Sequence, residues 1–83
     1  MTPERAEILA LEGLGWLAAQ PDDLQGFLNL SGMDVADLRA GAGSSEMSAA
    51  LLDFLLGDEA LLLRFCGDAG IDPRQIQAAR NAL

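Results

Sequence analysis

Apolar residues recur at three- and four-residue spacings along almost the whole chain, and no stretch shows the two-residue alternation of a half-buried strand. The pattern predicts an all-α protein, a compact bundle of about six short helices. Thr2-Pro3-Glu4 opens the first: a hydroxyl cap, proline at the first helical position and an acid in the first turn. This helix runs to about Ala19, with Ile8, Leu11, Gly15 and Ala18 as one apolar stripe that Leu14 and Leu17 widen. Gly13 and Gly15 each cost roughly 1 kcal/mol in a helix interior, a cost that close approach of another helix offsets, unless the helix kinks there.

Pro21-Asp22-Asp23 stops the first helix and starts the second, about Asp22 to Leu30, with Leu24, Phe27 and Leu28 on its buried face. Gly32 supplies a left-handed cap. Asp34 caps a third helix, about Val35 to Ala40, and Gly41 to Ser45 is the one flexible-looking stretch. Ser44 or Ser45 caps the fourth helix, whose face carries Met47, Leu51, Phe54 and Leu55, and Gly57 closes it. Asp58 opens the fifth, with Leu61, Leu62, Phe65 and Cys66 as inward candidates and Ala69-Gly70 as its end. Asp72-Pro73, a cap followed by proline, starts the sixth, about Pro73 to Asn81.

The two halves repeat at an offset of 38, without a gap, from about Leu14–Ala40 to Leu52–Ala78. Trp16-Leu17 aligns with Phe54-Leu55, Phe27 with Phe65, and Gly32-Met33-Asp34 with Gly70-Ile71-Asp72. The expected architecture is two three-helix units about a pseudo-twofold axis, forming one domain over residues 1–83, since neither unit alone buries its apolar face. The expected core is Leu14, Trp16, Leu17, Leu24, Phe27, Leu28, Leu38, Leu52, Phe54, Leu55, Leu62, Phe65, Cys66 and Ile76.

Charge and composition narrow the function. Thirteen acids against five arginines, with no lysine, give a net charge of −8. Such a surface repels phosphate backbones and anionic lipid headgroups and favours basic or neutral partners. No apolar run approaches the roughly 20 residues of a membrane span, and the N-terminus lacks the basic and apolar regions of a signal peptide. One cysteine forms no intrachain disulfide, so a reducing cytoplasm is the expected compartment.

The inventory for catalysis is thin. There is no histidine and no tyrosine, which removes the commonest general base and metal ligand. Cys66 has no histidine to activate it, and its repeat counterpart is the core residue Leu28. Asp22-Asp23 and Asp58-Glu59 are adjacent acids at helix starts, where they serve the helix macrodipole and do not face each other as a dyad. No phosphate loop, dinucleotide fingerprint, zinc spacing or calcium loop is present. No enzyme activity, metal or cofactor is expected.

Two further features carry an alternative. Leu28, Gly32, Met33 and Leu38 have the spacing of a helix-turn-helix, as do Cys66, Gly70, Ile71 and Ile76. The sixth helix then offers Arg74, Gln75, Gln77 and Arg80 as possible base and phosphate contacts. Few arginines against a charge of −8 make a poor nucleic-acid footprint, and any two helices joined through a glycine cap share the spacing. Trp16, the one tryptophan, suits the core or a partner-facing anchor.

Leu14-Gly15-Trp16-Leu17-Ala18, then Pro21-Asp22 and Phe27-Leu28, with Leu52-Asp53-Phe54-Leu55-Leu56, Asp58-Glu59, Leu62, Phe65-Cys66 and Gly70-Ile71-Asp72-Pro73, resembles a family of small, uncharacterised bacterial proteins, an all-helical domain of unknown function. The resemblance covers nearly the whole chain. It implies a short, stand-alone cytosolic protein and carries no activity, cofactor or site residue.

The leading expectation is therefore a non-catalytic interaction module, an adaptor or regulator that binds another protein or a second copy of itself. Leu56, Leu61, Leu63 and Leu83 cannot all point inward from such short helices, so they form the candidate partner-binding patch. The alternatives are a helix-turn-helix-like nucleic-acid regulator using the sixth helix, and an enzyme built on carboxylates alone, which requires acids converging in a pocket.

Overall fold

The caps read in the sequence set the helix boundaries. A computed structural model describes residues 1–83 and holds six helices and no strand: α1 (Pro3–Ala18), α2 (Pro21–Ser31), α3 (Val35–Gly41), α4 (Ser45–Leu56), α5 (Glu59–Ala69) and α6 (Pro73–Asn81). Thr2 Oγ1 accepts from the Arg5 N–H at 3.2 Å, Ser44 Oγ from Met47 at 3.1 Å and Asp58 Oδ1 from Leu61 at 3.1 Å. Each side chain thus satisfies a first-turn N–H that has no carbonyl partner within the helix. The second helix starts one residue earlier than expected, at Pro21, and no side chain caps it.

Cap chemistry repeats between the halves. Gly32 (φ 72°) ends α2 and Gly70 (φ 68°) ends α5, both in the left-handed region that glycine enters without strain. Asp34 and Asp72 each form a reciprocal capping box, with Asp37 and with Gln75. Burial repeats as well: Leu17 and Leu55, Phe27 and Phe65, Leu28 and Cys66, and Leu38 and Ile76 are all buried.

Packing does not repeat in the same way. Helices α1, α4 and α6 pack on one another and form the centre of the molecule, with α2 against α1 and α5 against α4. Ile76 and Ala79 of α6 are fully buried, whereas α3 buries only Leu38 and lies mainly against α4. The third helix of the first half therefore stands away from α1.

A single apolar cluster forms the core and includes Leu9, Leu17, Leu51, Leu52, Leu55, Leu61, Phe65 and Ile76, each 1% exposed or less. Each such side chain contributes about 1.5–3 kcal/mol by leaving water. Of the expected core, Leu14, Trp16, Leu24 and Phe54 are half-buried at its margin. The face of α1 is corrected: Ala6, Leu9, Ala10, Gly13 and Leu17 point inward, while Ile8 and Leu11 are 47% and 45% exposed. Close packing against α4 and α6 selects the face bearing the small residues. Gly13 sits where a Cβ would meet Leu55 at 3.4 Å and Leu51 at 3.6 Å, ordinary packing distances, and Gly15 has nothing within 4 Å, so close approach of another helix requires neither glycine. No helix is long and apolar enough to cross a membrane.

Candidate functional site

Helix α1 carries two apolar faces, and α3 leaves the second uncovered. Leu11, Leu14, Gly15 and Ala18 of α1, Leu24 of α2, and Val35 and Leu38 of α3 line a groove of about 400 Å³ that Arg39 and Ala42 complete. Leu11 and Val35 stand nearly half exposed on opposite walls. The stripe read in the first helix is thus an apolar surface, but one that faces solvent. Arg39 is the groove's single charged residue, and no carboxylate pairs with it.

A smaller recess of about 230 Å³ lies between α2 and α4, lined by Phe27, Leu30, Ser31, Ala50, Asp53 and Phe54. Leu30 is 77% exposed there. Its one carboxylate, Asp53, accepts a hydrogen bond from Arg80 Nε at 2.7 Å.

The patch expected from Leu56, Leu61, Leu63 and Leu83 does not form. Leu61 is 1% exposed, because α5 buries a wide stripe at positions i, i+1, i+4 and i+5: Leu61, Leu62, Phe65 and Cys66. Leu56 and Leu83 are half-buried against the core. Only Leu63 is exposed, at 52%.

The side chains expected to meet nucleic acid are engaged within the chain. Arg74 Nη2 donates to Asp72 Oδ2 at 2.8 Å and Arg80 to Asp53. Gln75 Oε1 accepts from the Asp72 N–H at 3.1 Å, and Gln77 donates to Asn81 at 3.1 Å. The guanidinium and backbone N–H of Arg74 hold the Asp72 carboxyl down to about 2. Burial, then the Asp72 charge, pushes the Cys66 thiol up, so it favours its protonated form.

One member of each acid pair has a partner within the chain, one local and one distant. Asp58 caps α5, and Asp23 meets Arg64 at 2.6 Å. Nowhere do three of the chain's Cys, Asp and Glu side chains come together as a metal-binding group. Trp16 belongs to a third surface feature. Its ring lies 5.5 Å from Phe65, Arg64 lies 5.7 Å over its face, and its Nε1 donates to Asp68 Oδ2 at 2.8 Å. It joins α1 to α5 at the core margin and leaves the groove to its neighbours on α1.

The groove's exposed wall had a signal in the sequence. The fourth helix buries Met47, Leu51 and Leu55. The offset of 38, carried back beyond the Leu14 start of the repeat, gives Leu9, Gly13 and Leu17 of the inner face of α1, while the buried Leu52 maps onto Leu14, which lines the groove. Ile8, Leu11 and Ala18 then fall outside by elimination. Val35 had no such signal, since its exposure follows from the position of α3.

No curated protein and no solved structure gives a significant match to the chain. A family model does: it matches residues 3–83, from the first helical residue to the last residue of the chain, and the chain belongs to the family described as Protein of unknown function (DUF3572).

Proposed function

We propose that this protein is a non-catalytic interaction module, an adaptor or regulator that docks another protein in the α1–α3 groove. The observation carrying this reading is the groove itself: Leu11, Leu14, Gly15, Ala18, Leu24 and Val35 form a continuous apolar surface in a domain small enough to need its apolar residues for its core. Interfaces are built around such apolar centres with charged residues at the rim. The two recesses contain one carboxylate between them, Asp53, and it is already paired, which supports a binding role over carboxylate catalysis. The engagement of Arg74, Gln75, Gln77 and Arg80 with neighbouring groups, in a chain of net charge −8, favours protein over nucleic acid as the partner. A single buried cysteine fits a reducing cytoplasm.

A photo-cross-linking residue at Ala18 or Val35, used in lysate of the source organism, tests the reading. One protein captured reproducibly at both positions, lost with Leu11→Asp and retained with Leu63→Asp, supports it. Capture lost equally with both substitutions, or no protein captured from either position, refutes docking in this groove.

A further inference from the structure

We infer that the groove takes an amphipathic helix of another protein, with basic residues along its polar margins and one carboxylate placed to meet Arg39. The inference rests on the groove as docking surface and specifies the chemistry of its occupant.

The walls of the groove are helical, so along α1 most backbone groups are engaged in intrahelical hydrogen bonds, and the fold has no strand edge. An extended segment would find no main-chain partners there, whereas a helix brings its own hydrogen bonds and needs only apolar contact. The apolar wall from Leu11 to Ala18 spans about two helical turns, a length that a helix reads with anchors at i, i+3, i+4 and i+7. Gly15, with open space where a side chain would project, lets such a helix approach the α1 backbone closely.

Charge selects the margins. The protein carries −8, and only three of its carboxylates are paired with an arginine. Glu4 lies two turns before Leu11 on the same side of α1, at the end of the apolar wall. A second copy of this chain would bring a further −8 to the contact, whereas a basic helix is drawn to it. Arg39 is the exception within the groove, and without a carboxylate in its own chain it fixes one acidic position on the partner.

Two designed helical peptides of about five turns test this. They share one leucine stripe and one glutamate and differ in carrying lysine or glutamate on the margins. Fluorescence anisotropy with the full-length protein should show binding of the lysine peptide, weakened by salt and weakened at least about tenfold by Leu11→Asp and by Val35→Asp. Both variants must keep the wild-type circular dichroism. Arg39→Glu should weaken the peptide bearing the glutamate and not the same peptide with glutamine there. Lysine-peptide binding that survives both groove substitutions overturns the inference, as does the absence of binding. Groove-dependent binding of the glutamate-margin peptide alone, or a dimer in sedimentation equilibrium that Leu11→Asp dissolves, overturns the basic-helix chemistry while leaving the groove as an interaction surface.

Discussion

The indole Nε1 of Trp16 on α1 donates a 2.8 Å hydrogen bond to Asp68 Oδ2 on α5, 52 residues further along the chain. The ring lies against Phe65 beneath the Arg64 guanidinium, which in turn reaches Asp23 on α2. One aromatic residue therefore ties the first two helices to the fifth. Asp68→Ala leaves the apolar contact in place and removes the acceptor. Water still reaches this margin, so the cost should stay at about 0.5–1.5 kcal/mol. Urea denaturation checks the magnitude, and a shift in tryptophan emission should accompany it. An unchanged midpoint and spectrum would mean that the bond is not held in solution.

The two faces of α1 give a direct stability contrast. Leu9 is fully buried, and Leu9→Ala should cost about 2–5 kcal/mol through lost transfer energy and the cavity left behind. Ile8, its neighbour in the chain, is 47% exposed, and Ile8→Ala should cost well under about 1 kcal/mol. Equal losses would mean that the inner face has been placed wrongly on α1.

What the chain discloses about itself is uneven for physical reasons. Caps are local: Asp72-Pro73 and Gln75 are enough to start α6, and Gly32 and Gly70 to end α2 and α5, because each bond closes within a few residues. Which face of α1 turns inward is not local. Ile8, Leu11, Gly15 and Ala18 make as good a stripe as Ala6, Leu9, Ala10, Gly13 and Leu17, and the contest is decided by α4 and α6, which demand small residues at their line of approach. Leu61 shows the same limit: counting leucines on short helices suggests that it overflows to the surface, but α5 buries adjacent positions and takes it in, leaving Leu63 exposed. The groove depended on the position of α3, which no spacing along the chain specifies.

Asp72 sets a pH window. Its carboxyl lies at about 2 in the folded protein, held down first by the Arg74 guanidinium and then by the Arg74 N–H, against an ordinary 3.8. A carboxyl depressed by folding adds stability above its unfolded value, and this is lost as pH falls from about 4 towards about 2. Asn also caps helices well, so Asp72→Asn removes the charge and keeps the cap. The stability gap between wild type and Asp72→Asn should narrow as the pH drops through that window, in urea titrations at a series of pH values. A gap that stays constant from pH about 5 to about 2 would show that the Asp72 charge contributes nothing across this range.

Gly15 separates the stability of the fold from the use of its surface. Its Cβ position is open, so Gly15→Ala meets no clash and gains the helix propensity that glycine forgoes, about 0.5–1 kcal/mol. For a domain of this size, 1 kcal/mol corresponds to a rise of about 4–8 °C in Tm. The new methyl group stands on the wall of the groove, where a docked helix would approach most closely, so binding of the lysine-margined peptide should weaken as the fold becomes more stable. Gly13 gives the complementary case: its Cβ site is already bounded by Leu51, Leu55 and Phe65, and Gly13→Val should destabilise by about 1–3 kcal/mol through overpacking. A Gly15→Ala protein with raised Tm and undiminished peptide affinity would place the docked helix away from α1. One with lowered Tm would show that the space beside Gly15 is filled in solution.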